Sequence, residues 1–355
     1  VGARWAISNE GFMAGNTLFS NLALRASWGI TGNQEFPAGA SREQFAFGSY
    51  NNAGQINVAN PDLKWEQTKS WNVGVDFAVL QGRLSATFDY YNKNTSNILF
   101  QSTAIQPAPA SIFFINLPAN LINKGYEASI NLGLINERDF NWDLMGYFAH
   151  NDNKLTNFTQ NGKDIQIITG QINGQGVSGT LSQVITNNQP VNAYYLKPFS
   201  GFDQNGNQQI GANPIYAGNP NPENSFGNST TLDYKKFSLN INGGGESGYL
   251  IYNNTATSVT NISGIANGRN IDRSAYNSAE KPTSAVGAST RFLESGNYFK
   301  LRNATLTYRI GDVGRFFRNV SAYVTGNNLF VITKFTGFDP EVNIDKSNNN
   351  YPSRS

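Results

Sequence analysis

The chain has 355 residues, with 26 Lys and Arg against 24 Asp and Glu, one His and no Cys. The absence of Cys excludes disulfide frameworks and thiolate metal sites, and the single imidazole excludes any site that needs two His. A net charge of +2 with no basic stripe excludes the electrostatic footprint of a nucleic-acid-binding protein.

Alternation of apolar and polar residues with period two runs through unusually long segments. The first covers 22–28, and the clearest covers nine residues from Trp71 to Val79. A tight turn at 80–83 follows, and a second alternating segment runs from Leu84 to Tyr91. Two alternating segments joined by a tight turn predict a β-hairpin.

The same alternation returns along the rest of the chain. It recurs at 126–134, 140–146, 237–241, 304–310 and 320–324, which predicts about ten strands and no helix. The connections alternate in length. Those near 9–20, 80–83, 135–139, 234–236 and 311–318 are short, and those near 31–65, 97–120, 153–223, 253–295 and 332–355 are long.

Strand length and connection length both favour a membrane barrel over a soluble sandwich. Strands of soluble sheets usually have about 5 or 6 residues, whereas a tilted strand that crosses hydrocarbon needs about 9 to 11. Outer-membrane barrels alternate tight periplasmic turns with large extracellular loops. The sequence therefore predicts an all-β fold, an antiparallel transmembrane β-barrel with long extracellular loops and a location in the outer membrane.

The directions of the first and last predicted strands lead to a further expectation. The first strand runs into a short turn and the strand near 319–331 runs into a long loop, so both ends would lie outside the cell. Single-chain barrels keep both termini in the periplasm. We therefore expect further strands before Val1 and after Ser355.

Several motifs occur in a fixed order and together resemble one family. They are LRASWGITGNQ at 24–34, NPDLKWEQT at 60–68, DYYNK at 89–93, NKGYE at 123–127, GNYFKLRN at 296–303, GNNLF at 326–330 and FTGFDPE at 335–341. This order resembles the C-terminal barrel of SusC/RagA-type TonB-dependent transporters from the Bacteroidota. The resemblance extends from about residue 7 to Tyr351 and Pro352.

The resemblance implies a complete mechanism. Residues 1–355 would be the C-terminal portion of a barrel of about 22 strands, with the plug and N-terminal domains outside this chain. The family takes up oligosaccharides or peptides across the outer membrane under a SusD-like surface lipoprotein lid. The TonB–ExbB–ExbD system supplies the energy through the N-terminal part. The resemblance implies no enzyme activity, no cofactor, no resident metal and no nucleic-acid partner.

Candidate substrate contacts lie in the long connection near 153–223. This stretch is low in charge, rich in Asn, Gln and Gly, and contains Tyr194, Tyr195, Phe199, Phe202 and Tyr216. Aromatic rings stack on sugar faces and amide side chains hydrogen-bond to hydroxyls, so these five residues are the predicted substrate-binding residues. The same residue types also suit contacts with a peptide or with a lid.

Two further patterns in the sequence carry weaker predictions. In the family the long connection often holds a calcium-like Asp-x-Asn-Gly-Asp-Gly loop, but here Asn207 and Gln208 replace the second acid and the following Gly, so no metal site is predicted. His150 is predicted to be an ordinary residue at a strand end. The predicted interfacial girdle consists of Trp5, Trp28, Trp65, Trp71 and Tyr90.

Two alternatives remain open at the level of sequence. One is a secreted or surface all-β binding module, such as an adhesin, whose strands form a sandwich. The other is an outer-membrane barrel enzyme, for which the single His leaves little catalytic chemistry. The first alternative is tested by burial, because a lipid-facing band leaves its apolar residues outermost and a sandwich buries them. The residues concerned are Val73, Val75, Phe77, Leu84 and Phe88.

Overall fold

The computed structural model describes residues 1–35, 37–48, 53–103, 107–172, 177, 179–281, 287–337 and 339–341. Its strands, in chain order, are β1 (Gly2–Ala6), β2 (Phe19–Asn33), β3 (Gln44–Phe47), β4 (Ala53–Asn57), β5 (Glu66–Val79), β6 (Leu84–Thr103), β7 (Ile112–Asn136), β8 (Phe140–Thr156), β9 (Thr159–Gln160), β10 (Lys163–Asp164), β11 (Gln166–Ile172), β12 (Thr180–Thr186), β13 (Ala193–Leu196), β14 (Phe199–Phe202), β15 (Gln208–Ile210), β16 (Ile215–Gly218), β17 (Asn224–Tyr234), β18 (Phe237–Ser247), β19 (Leu250–Tyr252), β20 (Leu293–Ser295), β21 (Tyr298–Val313) and β22 (Phe317–Thr333). They are accompanied by one α-helix, α1 (Asn254–Val259), and by 3-10 helices at Ile7–Asn9, Gly11–Met13, Leu80–Gly82, Ile262–Asn267, Arg273–Asn277 and Thr290–Phe292.

Ten of the strands form one antiparallel sheet, the main sheet. Their spatial order is β1-β2-β5-β6-β7-β8-β17-β18-β21-β22. The remaining strands lie in the connections between them, so neighbours in the main sheet are also successive in the chain once those connections are set aside. The predicted set of about ten long alternating strands is confirmed by this sheet.

The predicted hairpin between β5 and β6 is present, with Val79 paired to Leu84. Its turn needs left-handed backbone at three successive positions, with φ of 54° at Leu80, 58° at Gln81 and 87° at Gly82. Glycine adopts this conformation without steric cost, which explains its place in the turn. The tight turn fixes the register of both strands and therefore the face on which each side chain lies.

Register divides the main sheet into two chemically different faces. The outward face carries the apolar set, and its rows include Trp28 beside Trp71 and Val73 beside Tyr90. The inward face carries the polar set, including Arg25 beside Gly74 and Asp76 beside Thr87. Side chains of a strand alternate between the faces, so the period-two pattern of the sequence becomes two continuous surfaces.

No second layer covers the outward face in the described part of the chain. Val73 is 51% exposed and Phe88 is 45% exposed. Val75, Phe77, Leu84, Leu132 and Leu144 are intermediate, and none of them is buried. A sandwich would place these side chains in a dry interior between sheets, so the sandwich alternative is wrong.

The connections lie at two ends of the main sheet, which we call the lower and upper ends. Short turns at 80–83, 137–139, 235–236 and 314–316 lie at the lower end, and the long connections lie at the upper end. The predicted alternation of short and long connections is confirmed in the described residues. From residue 342 onward, the predicted connection at 332–355 lies outside the described residues, and so do Tyr351 and Pro352.

Two predictions about the upper end are wrong in detail. The stretch 97–120 is mostly strand, because β6 continues to Thr103 and β7 starts at Ile112. The long connection near 153–223 lies between the end of β8 and the start of β17, and it contains the eight short strands β9 to β16. The prediction of no helix fails at α1, whose first turn is capped by the Asn253 side chain accepting from the Ala256 N–H. The short strands of the upper end depend on tertiary contacts that local patterning does not contain, such as the core around Tyr194, Tyr252 and Phe292.

The hydrophobic core lies at the upper end, in the layer formed by the connections and in the adjoining parts of β7 and β8. Apart from Ala23, all buried apolar side chains among the described residues lie in or beside those connections. One cluster contains Ile172, Val177, Tyr194, Leu196, Tyr252 and Phe292, and a second contains Leu117, Ala119, Leu155 and Phe158. Within the described ranges, no helix is long and apolar enough to span a bilayer.

Candidate functional site

Arg25 on β2 lies between two carboxylates on the inward face. Its Nε lies 2.9 Å from each carboxylate oxygen of Asp76, and its Nη2 lies 2.8 Å from Asp89 Oδ2. The guanidinium crosses β5 above Gly74, where a Cβ would collide with the Asp89 carboxylate. The three side chains are only 16–32% exposed, so each charge depends on the others for compensation.

Neutral polar side chains extend the inward face on both sides of this ion cluster. The Thr87 and Ser129 hydroxyls lie 2.7 Å apart, and the Tyr91 hydroxyl donates to Asn151 Oδ1 over 2.9 Å. Similar contacts join Asn153 to Asn123, Thr68 to Thr95 and Asn242 to Asn303, each over 2.8 Å. A surface of hydroxyls and amides suits water and solutes rich in hydrogen-bonding groups.

On the inward face, the aromatic ring of Tyr147 lies against a glycine. Tyr147 on β8 is 55% exposed, and its ring covers Gly227 on β17, where a Cβ would collide with it. The two residues are directly paired in the register. A ring that lies over a glycine shields backbone that has no side chain of its own, which is a recurrent way to stabilise a strand containing glycine.

The upper-end layer contains a four-stranded sheet in the order β11-β12-β13-β16. Tyr194 on β13 is fully buried on one face of it, within the cluster around Ile172 and Phe292. Its hydroxyl accepts a hydrogen bond from the Tyr252 backbone N–H over 3.0 Å. Burial raises the pKa of the Tyr194 hydroxyl above its ordinary value. Tyr194 therefore joins β13 to β19 in the core of the layer.

Tyr195 and Tyr216 form an accessible aromatic pair on the same sheet. The two residues are directly paired between β13 and β16, with ring centroids 5.3 Å apart and planes tilted by 36°. Tyr216 is 46% exposed, and its hydroxyl accepts from Gln166 Nε2 over 3.1 Å. Two rings with a neighbouring amide form a surface that can stack on a sugar ring or pack on a peptide side chain.

Phe199 and Phe202 surround a cation that the sequence did not single out. Their rings meet edge to face at 5.4 Å, and the Arg291 guanidinium lies 5.6 Å from the Phe199 centroid and 5.0 Å from the Phe202 centroid. Arg291 Nη2 also lies 2.9 Å from Glu280 Oε2, in a pair whose carboxylate is fully buried. Gln208 Nε2 donates to the other carboxylate oxygen over 3.0 Å.

The Asp203 carboxylate accepts hydrogen bonds from the backbone and side chain of its own turn. Asp203 Oδ1 accepts from the N–H groups of Asn205 and Asn207, each over 2.8 Å, and Oδ2 accepts from Asn207 Nδ2 over 3.1 Å. These donors, the Asn207 backbone N–H first, hold the pKa of the Asp203 carboxyl below its usual value. Asn207 thus contributes an amide donor at the position where the calcium-like loop of the family has an acid.

A partly open cavity of about 650 Å³ lies beside α1. Its lining includes Asn253, Thr260, Asn270, Asp272 and Thr336, together with the apolar side chains of Val259 and Ile271. The Asp272 carboxylate already accepts from the Ser274 N–H and hydroxyl. The cavity therefore offers mainly neutral hydrogen-bonding groups beside an apolar wall.

The structure divides the five predicted substrate-binding residues into three environments. Tyr194 is core, Phe199 and Phe202 enclose Arg291, and Tyr195 and Tyr216 form the accessible pair. Sequence reasoning missed Arg291 and Glu280, because they lie about 80 residues further along the chain and no local motif surrounds them.

The single histidine lies away from both polar surfaces. His150 is on the outward face, with Nδ1 2.8 Å from Asn224 Oδ1 and its ring stacked on Tyr126 at a centroid distance of 5.1 Å. Among the residues that the structure describes, no group of three or more His, Asp or Glu side chains could hold a metal ion. The polar groups of the inward face and of the upper-end layer are therefore hydroxyls, amides, aromatic rings and ion pairs.

The chain is similar to a known family, to individual proteins in sequence and to a solved structure. The family model for the β-barrel of TonB-dependent receptor-like proteins matches residues 1–329. TonB-dependent receptor P3 from Formosa agariphila is 28% identical over 97% of the chain, and TonB-dependent receptor SusC from Bacteroides thetaiotaomicron is 27% identical over 98% of it. The chain spans 38% of the length of each of these relatives.

A solved structure of the RagAB peptide transporter has the same fold. It superposes with a TM-score of 0.83 at 22% sequence identity, over 96% of this chain and 40% of the other. The family match covers most of the chain, and it agrees with the resemblance that the ordered motifs predicted. The chain belongs to the TonB-dependent receptor-like β-barrel family, is of the SusC/RagA type, and is an outer-membrane protein.

Proposed function

We propose that this chain forms part of the wall of a transporter that takes up oligomeric nutrients, glycans or peptides, across the outer membrane. Residues 1–355 are the C-terminal portion of the barrel, and the upper end faces the cell exterior. Among the described residues no strand pairs with the outer edge of β1 or of β22, and further strands of the barrel would cover these edges, since an open edge cannot face hydrocarbon. Relatives of much greater length support this assignment of the chain to a part of the barrel.

The observation that carries the proposal is the contrast between the two faces of the main sheet. The outward face is apolar and uncovered, and the inward face holds the Arg25 ion cluster and ladders of hydroxyls and amides. The apolar band on β5 runs from Trp71 to Val79, which at the usual strand tilt corresponds to a height of about 20 Å. Such a wall separates lipid from a wet passage.

The partners follow from the same assignment. A SusD-like surface lipoprotein closes the upper end, and the TonB–ExbB–ExbD system drives transport through the N-terminal part of the protein. The RagAB relative is a peptide transporter, which supports an oligomeric substrate, and SusC is a TonB-dependent receptor, which supports coupling to TonB. Transport moves the solute through the barrel without covalent chemistry, so the protein is not an enzyme and needs no cofactor.

The accessible pair of Tyr195 and Tyr216 is the proposed point of direct substrate contact. Tyr216 is 46% exposed on the four-stranded sheet of the upper end, and Gln166 supplies a hydrogen-bonding group beside it. Tyr194, Phe199 and Phe202 act behind this pair, by holding the layer in shape. The upper-end connections rather than the main sheet select the solute, because connections differ most between proteins that share a scaffold.

Growth on defined nutrients tests the proposal. A deletion strain is supplied with single oligosaccharides or oligopeptides as sole nutrient, and the gene for the full-length protein is then restored. We expect growth on at least one oligomer to depend on both this gene and TonB, and a Tyr216→Ala variant to take it up several-fold more slowly. The proposal is contradicted if the deletion leaves growth on every oligomer unchanged. It is also contradicted if the purified protein changes the covalent structure of an oligomer.

A further inference from the structure

On eight of the ten strands of the main sheet, charge on the outward face is confined to one small area. On β1, β2, β5, β6, β7, β8, β17 and β18, the outward positions hold four charged side chains, at Lys69, Lys124, Asp152 and Lys154. The row that contains Trp28 and Trp71 also contains Lys124 and Asp152, and Lys69 and Lys154 share the next row towards the upper end. We call these four residues the outer charged row.

The lysines of the outer charged row are close enough to act on one headgroup. Lys124 and Lys154 lie on neighbouring strands in a diagonal relation, about 7 Å apart at their Cβ atoms. Lys69 and Lys154 share a row across three inter-strand spacings, about 14 Å. All three lysines are exposed.

Acidic compensation within the row is weak. The pair between Lys124 Nζ and Asp152 Oδ2 measures 3.4 Å, and both side chains are about half exposed. Such exposed pairs are screened by water and salt, so Asp152 does not hold Lys124 away from another anion. With Glu223 nearby, three lysines against two carboxylates leave this part of the outward face with one net positive charge.

A groove beside the lysines has the chemistry of a sugar site. Its volume is about 360 Å³, and its lining includes Tyr90, Lys124, Tyr126, His150, Asp152 and Glu223. Tyr126 stacks on His150, and Tyr90 lies in the same row, so aromatic faces and polar tips lie together. Rings that pack on sugar faces, carboxylates that accept from hydroxyls, and ammonium groups that bind phosphate are the elements of a site for a phosphorylated sugar.

We infer that the outer charged row binds the headgroup of a phosphorylated glycolipid in the outer leaflet. The lysines contact its phosphate groups, the groove takes a sugar ring, and the acyl chains lie along the apolar band below. The position of the row at the upper edge of that band matches the depth of a headgroup, where each basic side chain strengthens binding to an anionic lipid. This lipid contact is separate from the passage of solute on the inward face.

Binding of fluorescent deep-rough lipopolysaccharide to the full-length protein in neutral detergent tests the inference. We expect a triple Lys69→Gln, Lys124→Gln and Lys154→Gln variant to bind it about 10- to 100-fold more weakly. An Asp152→Asn variant, which removes the only acid of the row, is expected to bind about 5-fold more tightly. Dephosphorylated lipopolysaccharide is expected to bind the native protein and the triple variant equally weakly.

A matched control distinguishes the effect of the three lysines of the row from the effect of total charge. A Lys163→Gln, Lys197→Gln and Lys281→Gln variant loses the same charge from exposed positions in the upper-end connections, and it is expected to bind like the native protein. Native affinity in the first triple variant, equal loss in the control, or unchanged binding in Asp152→Asn would each overturn the inference. Uptake by the deletion strain is a separate readout, so the proposed function and the lipid site can fail independently.

Discussion

At the scale of single residues, the inward face depends on charges and rings that fit into space left by glycines. Arg25 crosses β5 because Gly74 has no side chain, and Tyr147 lies flat because Gly227 has none. The Arg25 contacts join three neighbouring strands, and the Tyr147 contact joins two. Substitution at each site is therefore expected to affect the contacts between these strands.

Replacing Arg25 by Ala is expected to destabilise the protein by about 1–3 kcal/mol. The change leaves Asp76 and Asp89 close together, at 20% and 16% exposure, without their cation. The temperature at which the folded band disappears in a semi-native gel measures the effect. Arg4→Ala is the control, since Arg4 is paired with Arg25 in the register but is exposed. Equal loss in both variants would show that the ion cluster has no special role.

Replacing Gly227 by Val is expected to cost about 1–3 kcal/mol, because the new side chain occupies the space of the Tyr147 ring. Combining it with Tyr147→Ser should recover part of that loss in a double-mutant cycle. Gly29→Ala is the control, since nothing lies near a Cβ at that position. Additive effects of the two changes would contradict the packing of the ring on the glycine.

At the scale of elements, the upper-end layer is held together by contacts between connections that are far apart in the chain. Arg291 and Glu280 belong to the connection after α1, while Phe199, Phe202 and Gln208 belong to β14 and β15. The backbone adds a further link, from the Phe199 N–H to Thr290 Oγ1 over 2.9 Å. The two connections therefore form one folded unit above the main sheet.

Replacing Glu280 by Ala is expected to loosen β14 and β15, because it leaves the Arg291 guanidinium without its buried partner. Hydrogen exchange of the amides at 199–210 should become at least about 10-fold faster, while exchange in β17 and β18 should not change. Asp312→Ala is the control, since its pair with Arg318 is exposed and lies at the lower end. Unchanged exchange at 199–210 would mean that the ion pair does not hold the two connections together.

At the scale of the whole molecule, sequence predicted the main sheet well and the upper-end layer poorly, for a physical reason. The strands β5 and β6 repeat their pattern over many residues, and a tight turn fixes their register, so local information is sufficient. The strands β9 to β16 have only two to seven residues and are stabilised by the core around Tyr194. Sequence identified Tyr194 and Tyr216 as aromatic candidates, but their opposite burial is decided by partners far along the chain.

The central claim is that hydrocarbon contacts the outward face and water contacts the inward face. Because the chain contains no Cys, single cysteines carrying a nitroxide label can be placed at adjacent positions on the two faces. The inward sites are Asn72, Thr87 and Ser129, and the outward sites are Val73, Phe88 and Ile130.

Collision of these labels with oxygen and with a polar nickel complex, measured by electron paramagnetic resonance in lipid vesicles, is the most direct test. We expect strict alternation, with outward labels accessible to oxygen and protected from nickel, and inward labels accessible to nickel. Outward labels protected from both reagents, as in a dry interior between sheets, or accessible to nickel, as on a water-facing surface, would contradict the account.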